Sequence, residues 1–242
     1  MRLIVFPHAG GGIVAYHRWP QSLPETVELC GVQLPGRETR FSESPVRDIA
    51  DITRFVTEAI EQLDDVPTLL FGHSMGAWVA FEVASQLQRG QRGPAALIVS
   101  GRTAPHLASR TPRIAHLRGS EIVRRASDLF GGIPDEMLRE PALIDLMARV
   151  LEADLSALEG YRYTGDEPLR CPLVALAGDA DPWVTDDELD AWRERTTGSF
   201  HAERLPGGHF YFRDGNSLLR LLDLLNRQCA AMLDAHARLA KR

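Results

Sequence analysis

The chain has 242 residues, 44% of them hydrophobic and 25% charged, enough to bury one substantial core as a single α/β unit with an insertion. Its formal net charge of −6 excludes the generally basic face that nucleic-acid binding requires, though not a local basic patch. Cys30, Cys171 and Cys229 are widely spaced without metal-ligand spacing and read as buried free thiols of a reducing compartment. No apolar run is long enough for a signal peptide or membrane span, so the expected location is the cytoplasm.

Leu3 to Phe6 is a continuous apolar run stopped by Pro7, the pattern of a buried strand, and it leads into His8-Ala9-Gly10-Gly11-Gly12. That glycine cluster lacks the spacing of a phosphate cradle. It suits an oxyanion loop, with a backbone N–H near Ala9 pairing with that of Met75, although a plain glycine turn is the bland alternative. Val27 to Leu34 is expected as a second strand before the loop signal Pro35-Gly36-Arg37. From Val46 to Leu63 the apolar residues recur at helical spacing.

Leu69-Leu70-Phe71 then runs into Gly72-His73-Ser74-Met75-Gly76 and an Ala-rich helix from Met75 to Leu87. This is G-x-S-x-G in its required setting of strand, sharp turn and helix, with Ser74 as nucleophile. Side chains at 72 and 76 would collide across the turn, and the helix N-terminus points free N–H groups at charge developing there. Ala95 to Ser100, Leu173 to Ala177 and the more polar Phe200 to Leu205 complete about six strands, the last suited to a sheet edge. Strands alternating with helical patterns predict a mostly parallel sheet flanked by helices. A final helix over about 216–240, with Leu218, Leu221, Leu222, Leu225 and Met232 on one face, is expected to fray toward Lys241-Arg242.

Residues 105–166 break the alternation, with only helical patterns: Ser120 is expected to cap a segment through Phe130, and Pro141 to open another reaching Leu158. A crossover needs far fewer residues, so this insertion reads as a helical lid over the strand tips of a single 1–242 domain.

A serine hydroxyl needs a general base and a group that orients it, and the order along such a sheet is Ser, acid, His. Among eight histidines, His8 and His73 come too early. His17, His106, His116 and His236 lack a strand tip, and His201 lies within a strand. His209 follows Pro206-Gly207-Gly208, a turn directly after the last strand, which makes it the base. The acid is Asp181 in Gly178-Asp179-Ala180-Asp181-Pro182, with Asp179 read as a turn former that bonds backbone N–H groups. Thr185 and Glu188 form a capping box for the next helix. These parts predict acyl transfer to Ser74 and hydrolysis, with no metal or redox cofactor.

Phe6-Pro7-His8-Ala9-Gly10-Gly11, Leu34-Pro35-Gly36-Arg37, Gly72-His73-Ser74-Met75-Gly76, Ser100-Gly101-Arg102, Gly178-Asp179-Ala180-Asp181-Pro182 and Gly207-Gly208-His209-Phe210-Tyr211 occur in this order. Together they resemble the type II thioesterases, stand-alone α/β-hydrolases that accompany polyketide synthases and nonribosomal peptide synthetases. The resemblance spans about 3–212. It implies hydrolysis of acyl groups from the phosphopantetheine thiol of acyl or peptidyl carrier proteins, or from acyl-CoA. Its triad falls on Ser74, Asp181 and His209, and its oxyanion donors on Ala9 and Met75. Family members carry a longer segment before the first motif, and Trp78 stands where a smaller aliphatic residue is common.

The triad alone does not separate a thioesterase from a carboxylesterase, a lipase or an acyltransferase on small substrates. A non-catalytic carrier-binding protein would have no use for an intact Ser74, Asp181 and His209. Carrier proteins are acidic, so docking calls for local positive charge. Arg110, Arg113, Arg118, Arg124 and Arg125 cluster in and before the lid, with Arg124 and Arg125 as carrier-binding candidates and an ordinary solvated helix face as the alternative. The expected oligomeric state is a monomer.

Overall fold

The computed structural model describes residues 1–239 except Asp166 and Asp214, with side chains described through Asp234. The expected fraying at Lys241-Arg242 and the side chain of His236 lie outside the described residues. Among those described, strands β1 (Arg2–Phe6), β2 (Glu28–Gly31), β3 (Thr68–His73), β4 (Ala96–Ser100), β5 (Leu173–Gly178) and β6 (Phe200–Leu205) form one sheet. Its order is β2-β1-β3-β4-β5-β6, and every neighbouring pair is parallel.

Successive strand residues point to opposite faces, and both faces are covered. Ile4, Leu70, Leu97 and Ala175 join the cluster under helices α1 (Ile49–Glu61) and α2 (Met75–Arg89). Leu3, Leu69, Ile98 and Leu176 join the other. That second face is covered by helix α6 (Gly215–Leu239), through Leu221, Leu222 and Leu225, and by Tyr16 and Trp19 from short 3-10 turns. Two buried faces are the reason the inner strands β1, β3, β4 and β5 read as nearly unbroken apolar runs, while the edge strands β2 and β6 are more polar.

The departures from the sequence reading are local. The α1 helix starts at Ile49 because Asp48 caps it, its Oδ1 accepting the N–H groups of Ala50 and Asp51 at 2.7 and 3.3 Å. It ends before Leu63, which is left exposed. The edge strand β2 is confined to Glu28–Gly31. Ser120 does not cap helix α3 (Gly119–Phe130): the Gly119 N–H is satisfied instead by Glu152 Oε1, 2.9 Å away on helix α4 (Pro141–Gly160). A tertiary partner has replaced the local cap. Cys229 is buried, but Cys30 and Cys171 are only partly so, and all three are free. The capping box Thr185–Glu188 forms and starts helix α5 (Asp186–Asp190).

Helices α3 and α4 lie between β4 and β5 in the chain and pack on each other, α3 burying Ile122, Val123 and Ala126. Among the described residues no helix is long and apolar enough to cross a membrane. Because all strands run the same way, their C-terminal ends share one edge. Phe6 pairs with Gly72, His73 with Ser100 and Gly178 with Leu205, and the loops that follow emerge side by side.

Candidate active site

Ser74 sits between β3 and α2 with φ 55° and ψ −116°, a left-handed conformation that a non-glycine residue adopts only when its surroundings impose it. The constraint is visible in its neighbours. A Cβ on Gly72 would stand 2.1 Å from Gly76 O, and one on Gly76 would stand 2.2 Å from Phe6 O. Ser74 N–H donates to Ser100 O at 2.8 Å, which holds the turn onto the end of β4.

His209 and Asp181 meet as the spacing predicts. The His209 Nδ1–H donates to Asp181 Oδ2 at 2.8 Å, and Asp181 Oδ1 accepts the Trp183 N–H at 3.0 Å. Both residues are buried. With Nδ1 engaged, Nε2 is the ring nitrogen left to accept a proton. Asp179 takes the other role: its Oδ1 accepts the Gly207 N–H at 2.8 Å and ties the two loops together. Their approach is so close that a Cβ on Gly178 would lie 2.2 Å from Gly208 O.

Ser74 and His209 line one cavity of about 610 Å³ with Ala9, Phe130, Leu151 and Phe210 among its walls. Among the described residues Ser74 Oγ makes no hydrogen bond, a looseness common before substrate orders such a site. Met75 is the first residue of α2, so its N–H has no partner within the helix. The loop carrying Ala9 is fixed one residue on, where Gly10 N–H donates to Asp154 Oδ2 at 2.7 Å. Arg124 and Arg125 stand apart from this cavity, exposed on α3, whereas Arg113 and Arg118 pair with Glu159 and Glu152 of α4.

Two other histidines crowd the site without charge. Burial, helped by the nearby Arg213, His209 and Arg37, pulls His8 down to about 3. Burial and its neighbours His209 and His8 hold His73 well below the ordinary value. His73 Nδ1 is hydrogen-bonded to Ser100 Oγ at 2.9 Å, and Ser100 Oγ to Tyr211 OH at 2.7 Å, a chain that braces the elbow from beneath. Sequence reasoning missed this chain, since its members come from the ends of β3 and β4 and from a 3-10 turn beyond β6. Among the described residues no group of three or more His, Cys, Asp or Glu is placed to hold a metal ion.

A left-handed serine at the turn after β3, with a hydrogen-bonded aspartate and histidine on later loops at the same sheet edge, marks an α/β-hydrolase fold. The family profile described as thioesterase domain matches residues 1–229, and the chain belongs to the thioesterase family. It is 34% identical to the gramicidin S biosynthesis protein GrsT of Aneurinibacillus migulanus, over 96% of this chain and 90% of that protein. It is 37% identical to the thioesterase PikA5 of Streptomyces venezuelae, over 88% of this chain and 76% of that one. Among solved structures it resembles RedJ, a thioesterase of the prodiginine biosynthetic pathway in Streptomyces coelicolor. There the TM-score is 0.85 at 39% identity, covering 94% of this chain and 85% of that one.

Proposed function

We propose that this protein is a type II thioesterase that frees acyl groups from the phosphopantetheine thiol of acyl or peptidyl carrier proteins, clearing stalled or misprimed chains. The observation that carries the reading is the buried 2.8 Å Asp181–His209 hydrogen bond beside the cavity that also holds Ser74. The kinship with the thioesterase PikA5 and with RedJ, a thioesterase of the prodiginine biosynthetic pathway, favours the thioester over an oxygen ester.

Ser74 Oγ attacks the thioester carbonyl while His209 Nε2 takes its proton, and Asp181 stabilises the imidazolium. The N–H groups of Ala9 and Met75 hold the tetrahedral oxyanion, each contributing about 3–4 kcal/mol by analogy with measured donors. Collapse breaks the C–S bond, and the departing thiolate takes the proton from His209. Water, deprotonated by His209, then attacks the acyl-serine and releases the carboxylic acid and Ser74. Protein groups carry every step. Residues 105–166 act as a lid: Phe130 from α3 and Met147, Leu151 and Leu155 from α4 wall the cavity and exclude water.

Arg124 and Arg125 meet the acidic carrier. Their exposure and freedom from ion pairs among the described residues suit docking. Charge reversal at both should raise KM for an acyl-carrier and leave a small thioester unaffected; equal effects on both substrates would refute the assignment.

The function is tested by the intact mass of an acyl-loaded carrier protein incubated with wild-type enzyme or Ser74→Ala. Loss of the acyl mass with wild type alone, leaving the pantetheine arm, is the expected result. Survival of the acyl mass while a simple oxygen ester is cleaved would turn the reading to a carboxylesterase.

A further inference from the structure

Beside the Ser74 cavity lies a second one of about 580 Å³, and Arg102, Phe130, Leu155 and Leu158 border both. Arg102 follows β4 by two residues and is 6% exposed. Its Nε is enclosed and unpaired, and among the described residues its guanidinium donates to no protein oxygen. Asp181 is near enough for its charge to be felt, but among the described residues no hydrogen bond or ion pair joins it to Arg102, and it bonds His209 and the Trp183 N–H instead. Burial draws the Arg102 guanidinium down to about 10, with Asp181 opposing, so it stays charged at neutral pH.

An unpaired buried cation is costly, and here it is held in place. Arg102 Cζ lies 3.8 Å from the centroid of the Trp78 ring. Trp78 is itself fixed by its Nε1–H donating to Thr103 O at 2.9 Å and by Tyr161, whose ring centroid is 4.8 Å away. Stacking occupies the face of the guanidinium and leaves its edge N–H groups for an in-plane acceptor. The acceptor that matches an N–H fork in shape and charge is a carboxylate.

We propose that the second cavity receives the far end of the acyl chain and that Arg102 binds a terminal carboxylate there, so that the enzyme favours monothioesters of dicarboxylic acids. This rests on the thioesterase reading. Phe130, Leu155 and Leu158 line both cavities, and these apolar groups would accept the methylene segment between thioester and carboxylate. Arg102 is a specificity residue in this scheme. It takes no part in bond making or breaking.

The test compares glutaryl and pentanoyl thioesters of N-acetylcysteamine. The readout is the ratio of their kcat/KM values, whatever happens to the absolute rates. Wild type should favour glutaryl, Arg102→Gln should lower the ratio about 10- to 100-fold, and Arg102→Lys should retain part of it. A wild-type ratio near one, or a ratio unchanged in Arg102→Gln, would overturn the proposal. A second arm measures binding of stable amide analogues of the glutaryl and pentanoyl pantetheine thioesters to Ser74→Ala by calorimetry. Tighter binding of the glutaryl amide supports the carboxylate site, and equal binding overturns it. Absence of any hydrolysis by wild type refutes the thioesterase reading, while the binding arm still decides the role of Arg102.

Discussion

Asp154 on α4 and Arg37 in the loop after β2 face each other through two parallel hydrogen bonds, Nη1 to Oδ2 at 2.7 Å and Nη2 to Oδ1 at 2.8 Å. Arg37 Nη1 also donates to Gly11 O at 2.9 Å, and Asp154 Oδ2 also accepts the Gly10 N–H at 2.7 Å. The pair therefore joins a helix of the insertion to the loop that carries Ala9. Both side chains are buried, that of Asp154 completely.

Removing one partner strands the other charge. Asp154→Ala leaves a buried guanidinium and an unbonded Gly10 N–H, a loss of about 3–5 kcal/mol. For a chain of this size that lowers Tm by about 6–20 °C. Where the variant remains folded, a displaced Ala9 loop should lower kcat by about 10²-fold. The double variant Arg37→Met/Asp154→Leu should be less destabilised than Asp154→Ala, because no charge is left unpaired. Denaturation of the two variants decides it, and a double variant less stable than Asp154→Ala would contradict the account.

Ser74 gives a second prediction, because its φ of 55° strains any residue with a Cβ. Ser74→Ala keeps the strain and Ser74→Gly relieves it. Glycine at 74 should be more stable than alanine by about 1 kcal/mol or more in urea unfolding. Both variants should lose about 10⁵–10⁶ in kcat. Equal stability of the two would mean that the turn is not under strain.

The pH dependence of stability follows from His8. The unfolded chain takes up a proton near the ordinary value of 6.5, while the folded chain resists until about 3. Between those values the unfolded state binds more protons, so stability is full above 6.5 and falls as the pH drops toward 3, by up to about 1.4 kcal/mol per pH unit. His73, also held well below its ordinary value, acts in the same direction. Urea unfolding at pH 7, 6, 5 and 4.5 should show this fall, and His8→Gln should flatten it by about one proton's worth of slope. An unchanged slope in His8→Gln would assign the acid sensitivity to other groups.

Features written in local order were legible in the sequence. The Gly72–Gly76 turn, the β5 loop with two aspartates and the glycine turn before His209 each announce themselves over a few residues. Parallel order then brings them to one edge. The bond between Arg37 and Asp154 was not legible, because it spans 117 positions and ion pairs at that distance leave no periodic trace. One signal was available: Asp154 falls at helical spacing from Val150, Leu151 and Leu158, a carboxylate on an apolar stripe, which calls for a buried partner. The Ser120 cap failed for the opposite reason, since Glu152 from α4 supplies what a local cap would have given. Arg102 carries no local sign of burial; only the packing of Trp78 beneath it reveals its place.

The choice between the two aspartates of the β5 loop can be settled by substitution, because their bonds differ in kind. Asp181 Oδ2 accepts the His209 Nδ1–H, so Asp181→Asn preserves shape but can present an N–H where the acceptor stood, favouring the tautomer with Nε2 protonated. Its kcat should fall about 10⁴-fold, with little change in Tm. Asp179 Oδ1 accepts only the exposed Gly207 N–H. Asp179→Asn retains a side-chain carbonyl for that bond and should keep kcat within a few-fold. A large loss of kcat in Asp179→Asn together with a mild one in Asp181→Asn would transfer the orienting role from Asp181 to Asp179 and require the two loops to rearrange when substrate binds.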